Sequence, residues 1–253
     1  MGNPKRLLLL GGTTEASELA GRLASDPRFD VVLSLAGRTA SPKLPPVAYR
    51  IGGFGGVDGL ADWLVRESMD CVVDATHPFA ARMSANAAAA TWRLGVPLLT
   101  VIRPPWTAVD GDRWQIVPDI AGAVSALGPT PRRVWLTIGG NELAAFRAAP
   151  WHRYLVRAVD RPPADAIPPG AEILLARGPF DLAAERQLIA THRVEVLVTK
   201  NSGGSATAAK LAAAREAGLP VVMVARPEKA SGETVADVSA ALAWLDHFLI
   251  GRQ

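Results

Sequence analysis

Short apolar runs alternate along this chain with stretches whose apolar residues recur at three- and four-residue spacing. The runs Leu7–Leu10, Val31–Leu35, Tyr49–Ile51, Cys71–Val73 and Pro97–Ile102 predict strands. Between them Glu15–Ala24, Val57–Glu67 and Ala80–Leu94 predict helices, with Leu19 and Leu23 on the inner face of the first. The polar, proline-containing stretch from Arg103 to Arg113 breaks the alternation. A second series follows, with strands at Val134–Ile138, Tyr154–Ala158, Ile173–Ala176, Val194–Val198 and Val221–Ala225. Its helices are expected over Ile120–Leu127, Glu142–Phe146, Leu182–Thr191, Ala206–Ala217 and Val235–Leu249. Strands that alternate with helices form parallel sheets covered on both faces. The expected fold is α/β in two domains, 1–112 and 113–253, with a cleft between their carboxyl edges.

Composition narrows the class without naming a function. The 253 residues are 49% hydrophobic and 20% charged, which suits a globular chain with proper cores. No apolar run is long enough to suggest a membrane span, and Gly11-Gly12 ends the leucine run too soon for a signal peptide. Met1-Gly2 opens like a myristoylation site, but Arg6 stands where Ser or Thr is wanted. A cytoplasmic location is expected. Cys71 is the single cysteine and lies in an apolar run, so it reads as a small buried hydrophobe. The net charge of +3 allows an acidic ligand, yet no dense basic stripe marks a nucleic-acid binder. The histidines are scattered, and no metal is expected.

The candidate chemistry lies where strands end. Leu10 runs into Gly11-Gly12-Thr13-Thr14-Glu15-Ala16, which has only part of the G-x-G-x-x-G spacing. A glycine pair there serves a tight turn or a phosphate cradle. The threonines can cap the helix or donate to phosphate. Ser34-Leu35-Ala36-Gly37-Arg38 closes the second strand, where an adenosine ribose lies in a doubly wound sheet. Arginine at this place, rather than an acid, favours a 2′-phosphate and so NADP. Asp74-Ala75-Thr76-His77-Pro78 follows a third strand. Helix capping accounts for Thr76 and Pro78 and leaves His77 unexplained, where a nicotinamide ring would lie. Thr199-Lys200-Asn201-Ser202-Gly203-Gly204-Ser205 is the densest polar cluster, either a capped loop or an anion contact. Ile138-Gly139-Gly140-Asn141-Glu142 echoes the first glycine turn, which suggests two related halves. Tyr49 is followed four residues on by Gly53 and Tyr154 by Ala158, so the Tyr-x-x-x-Lys signature of short-chain dehydrogenases is missing.

With these blocks in view, the chain resembles the precorrin-6A reductases of cobalamin biosynthesis. The likeness rests on Gly11-Gly12-Thr13 with Glu15-Ala16, Ser34 through Arg38, Asp74 through Ala80, Thr199 through Gly204, and Lys210-Leu211 through Val222. It implies two Rossmann-like domains, NADPH as coenzyme and a tetrapyrrole substrate. It also implies neither metal nor flavin, and no nucleic-acid or membrane partner is expected. The implied cofactor contacts are Gly11, Gly12, Thr13 and Thr14, then Ser34, Leu35, Ala36, Gly37 and Arg38. Asp74, Ala75, Thr76, His77 and Pro78, with Thr199, Lys200, Asn201 and Ser202, would line the nicotinamide side. His77 and Lys200 are the candidate catalytic groups, and Arg147, Arg157, Arg177 and Lys200 are candidates for the substrate's carboxylates. An NADP-binding sensor and a nucleotide-sugar or methyl-transfer enzyme are the competing readings. The first lacks a spare output segment, and Arg38 counts against the second.

Overall fold

A computed structural model describes residues 3–37, 44–229 and 232–250. Arg38 therefore lies outside the described residues. The chain divides into two compact units, one of residues 1–104 with 227–253 and the other of 105–226.

In the first unit β1 (Lys5–Leu10), β2 (Phe29–Leu35), β3 (Ala48–Ile51), β4 (Cys71–Asp74) and β5 (Leu98–Val101) pair in parallel. The second unit has β6 (Arg113–Val117), β7 (Arg133–Thr137), β8 (Arg153–Ala158), β9 (Glu172–Leu175), β10 (Val196–Lys200) and β11 (Pro220–Val224), again parallel throughout. The chain then returns to the first unit, where β12 (Glu233–Val235) pairs with Leu99–Val101. The orders are β12-β5-β4-β1-β2-β3 and β6-β11-β10-β7-β8-β9.

Helices cover both faces because each βαβ crossover must bury an apolar stripe. On the first sheet α1 (Thr14–Leu23) and α7 (Val238–Ile250) cover one face, and α2 (Gly56–Arg66) and α3 (Ala81–Leu94) the other. Leu7 and Leu9 enter the first of these cores, Leu8 and Leu10 the second, as strand alternation requires. All four are essentially solvent-free, at about 1.5–3 kcal/mol of burial each. In the second unit α5 (Leu182–His192) and α6 (Ala209–Glu216) cover one face. There α4 (Ile120–Leu127) packs near β11 and β6 and against the 3-10 segment Gly140–Ala148.

Three expectations differ from this architecture. The division expected at 112/113 falls at 104/105, and the last segment belongs to the first unit. The reason is the core, because Val238, Ala241 and Leu245 of α7 are buried beside Leu19, Leu23 and Leu99. Glu142–Phe146, expected as an α-helix, lies within the 3-10 segment. Leu143, Phe146 and Ala149 are buried at three-residue spacing, which is the 3-10 period.

Candidate functional site

In sequence order within its unit, the first sheet reads 3-2-1-4-5 plus one strand from elsewhere, and the second sheet repeats that scheme. In such sheets ligands bind beyond the carboxyl ends, where the order reverses. That point lies between β1 and β4 in the first unit and between β7 and β10 in the second. Gly11–Thr14 follow β1 and Ala75–Pro78 follow β4, while Asn201–Ser202 follow β10. The expected residues that follow β1, β4 and β10 thus lie at the switch points of their own units, whereas Ser34 to Gly37 lie at the end of β2, the next strand over from β1.

At the first switch point Gly11 and Gly12 do different work. A Cβ on Gly11 would lie 2.6 Å from Leu33 Cδ1, so this glycine lets α1 approach β2 closely. Gly12 has φ +111 and nothing within 4 Å of a built Cβ, so it faces open space. Thr13 is the helix N-cap: its Oγ1 accepts from Ala16 N–H at 3.1 Å and donates to the Ala75 carbonyl at 2.7 Å. The hydroxyl is used within the fold, whereas Thr14 is exposed. With Ala16 N–H taken by this cap, the earlier backbone N–H groups of the turn, those of Thr14 and Glu15, have the geometry that lets a helix start receive an anion. Glu15, whose charge would repel an anion there, is paired with Arg103 at 2.7 Å.

The end of β2 is held by an arginine that the sequence reading passed over. Arg50 lies in register with Ser34 and donates to Ser34 Oγ at 2.9 Å, Gly52 O at 3.0 Å and Gly53 O at 2.9 Å. Its guanidinium stands 3.8 Å over the Phe54 ring. Burial pulls this guanidinium below its ordinary range. Leu35 is half-buried, whereas Ala36 and Gly37 are exposed, Gly37 with φ +72.

Beyond β4 the turn is organised from inside. Asp74 is 0% exposed, and its carboxylate accepts from Thr76 N–H at 2.9 Å, Thr76 Oγ1 at 2.6 Å and Ser84 Oγ. Lys229 Nζ completes the set at 3.3 Å, and it reaches the Thr76 carbonyl at 3.4 Å. A carboxylate so fully engaged shapes the turn. His77 is half-buried, and its Nδ1 accepts from Phe79 N–H at 3.2 Å. The proton of the neutral ring therefore sits on Nε2. Ala75 and Pro78 are buried.

At the second switch point Lys200 is paired with Glu142 at 2.7 Å, next to Gly139 in the echoed glycine turn. Asn201 closes a two-way bond with Trp106, accepting from its N–H at 2.8 Å and donating to its carbonyl at 3.0 Å. Arg226 Nε donates to the Asn201 carbonyl at 2.7 Å. Thr199 and Ser202 are buried. Of the arginines considered for substrate carboxylates, Arg157 is excluded by burial. It pairs with Glu185 and stands 3.8 Å over Phe180. Arg147 is exposed and donates to the Asp165 carbonyl at 2.6 Å, and Arg177 is exposed. Among the described residues no three His, Cys, Asp or Glu side chains gather as a metal site.

Arg50, Arg103 and Lys229 are the polar residues of the first unit that sequence reasoning missed. Arg103 follows a strand end as Arg38 does, so the same logic could have found it. Lys229 lies in a loop with no local signature.

Two doubly wound parallel sheets, each with polar loops gathered at its switch point, place the chain in the Rossmann-like class of α/β proteins. The chain belongs to the precorrin-6x reductase CbiJ/CobK family, whose sequence pattern matches residues 6–246. It is 52% identical over 246 residues to a precorrin-6A reductase from Sinorhizobium sp, covering 96% of this chain and 94% of that one. The precorrin-6A reductase of Rhodobacter capsulatus is 51% identical, with 96% of both chains covered. A solved structure described as CobK precorrin-6A reductase is 50% identical, with a TM-score of 0.91 over 96% of this chain and 97% of that one.

Proposed function

We propose that this chain reduces one double bond of the precorrin-6A macrocycle with NADPH, giving precorrin-6B. The observation that carries the reading is membership of a reductase family along nearly the whole chain. When bound, NADPH supplies the hydride, and the protein's task is to hold donor and acceptor carbons about 3–3.5 Å apart.

In this reading the N-terminus of α1, with Gly12 open before it, receives the pyrophosphate through backbone N–H groups. Arg38 binds the 2′-phosphate. Ser34, oriented by Arg50, and the exposed Ala36 and Gly37 contact the adenosine end. The Asp74–Pro78 turn meets the nicotinamide through its backbone, because Asp74 is directed inward. His77 is the proposed proton donor to the carbon left anionic by hydride addition, acting as the imidazolium and returning to the neutral ring, whose Nδ1 then accepts from Phe79 N–H. Lys200, held by Glu142, serves a substrate carboxylate.

The test is NADPH oxidation followed by absorbance with and without precorrin-6A, in the native chain and in Arg38→Ala. Oxidation should require the macrocycle, and Arg38→Ala should raise KM for NADPH at least about tenfold while leaving NADH turnover unchanged. Binding of NADPH without turnover would leave a sensor as the better reading.

A further inference from the structure

The amino edge of the second sheet, opposite the carboxyl edge that carries Lys200, holds an unexplained concentration of positive charge. Arg133 opens β7 and Arg153 opens β8, and the two are direct partners in the parallel register. Side chains so paired leave the sheet on the same face, and like charges there oppose pairing. Neither arginine has an ion-pair partner among the described residues. A third, Arg193, caps α5 just before β10 and is likewise unpaired among the described residues.

Arg193 carries a second cost. It adopts φ 49 and ψ 49, the left-handed conformation in which a helix usually ends on glycine. A side chain there costs about 1 kcal/mol, and this one is exposed, so packing does not repay it. Two carboxylates stand against the three arginines: Glu195 accepts from Arg133 N–H at 2.7 Å, and Glu172, which lines the same cavity, lies 3.2 Å from His192 Nδ1.

All three arginines line one open cavity of about 760 Å³, together with Trp151. That volume falls in the range of small-molecule sites, about 300–1,000 Å³. We propose that this cavity is a second ligand site, taking a compact organic or inorganic polyanion whose phosphate or carboxylate groups are held by Arg133, Arg153 and Arg193. Guanidinium forks match both oxyanions in bidentate fashion, and an anion would relieve the repulsion between the register partners. The site shares no residue with those assigned to reduction and does not depend on that assignment.

Hydrogen exchange on the full chain, with inorganic pyrophosphate and separately with citrate, tests the proposal. Either anion should slow exchange in residues 151–155 and 191–195, and which of the two does so identifies the phosphate or carboxylate source. Affinity measured by calorimetry should fall about tenfold or more in Arg193→Gly. That substitution removes backbone strain, so its melting temperature should hold or rise, and lost binding cannot be ascribed to misfolding. Arg133→Gln with Arg153→Gln should abolish the effect. Protection confined to residues 11–17, protection by neither anion, or affinity unchanged in Arg193→Gly would overturn the proposal.

Discussion

Asp74 and Lys229 show how one residue organises a loop that sequence assigns to chemistry. The carboxylate and the ammonium are both buried, at 1% and 6% side-chain exposure, and they lie 155 positions apart in sequence. Burying two charges is costly, so removing either leaves the other stranded, at about 3–5 kcal/mol. Lys229→Met and Asp74→Asn should each destabilise the first unit by roughly that amount. The double variant should lose well under the sum, because no charge is stranded. Urea unfolding of the four chains measures this, and strict additivity would refute the coupling. Lys229→Arg should restore part of the loss. The Asp74-to-Ala80 block was legible as a turn with polar ends, and His77 as its unexplained member. Its buried partner was not, since nothing local to Pro227-Glu228-Lys229 announces a contact so far back in the chain. Arg157 failed in the opposite way, because no local pattern reveals that Glu185 and two aromatic rings enclose it.

At the scale of elements, legibility followed apolar pattern. Strands rich in Val and Leu, such as Cys71–Asp74 and Val196–Lys200, are buried throughout or nearly so and stand out in the sequence. Glu233–Val235 is short and mostly exposed, so its pairing depends on the neighbour it meets. The 3-10 segment was misassigned because three- and four-residue spacing look alike over two turns. The turn that follows it presents His152, 3% exposed, whose Nδ1 accepts from Arg132 N–H at 3.2 Å. Burial lowers its pKa from 6.5, with Arg132 adding to the effect and the Gly128 carbonyl opposing it. A depressed folded-state pKa means that the neutral ring is the stable form. The contribution is therefore present above 6.5 and is lost as pH falls below it. Thermal stability should decline between about pH 7 and 5, and His152→Asn, which keeps an acceptor for Arg132 N–H, should flatten that decline. An equal slope in both proteins would assign the acid sensitivity elsewhere.

Over the whole chain, the same five-strand order appears twice, and each sheet is completed by a strand from outside its own series. The echo between Gly11-Gly12-Thr13 and Gly139-Gly140-Asn141 made the duplication visible in sequence, but the completing strands broke the simple division into halves. β6 precedes its series and joins β11, whereas β12 follows both series and joins β5. The first unit is therefore discontinuous and the second continuous, with different consequences for truncation. A chain ending at Arg226 loses β12, α7 and Lys229, and with them the buried Val238, Ala241 and Leu245. Val238 and Leu245 alone represent about 3–6 kcal/mol of burial, against the ~5–15 kcal/mol that holds a domain folded. Residues 105–226 keep every strand of their sheet. Hydrogen exchange on the truncated chain should show β7, β10 and β11 still protected while β1, β4 and β5 exchange rapidly. The intact chain should protect both sets. Retained protection of β1 after truncation would mean that α7 covers a core able to stand without it.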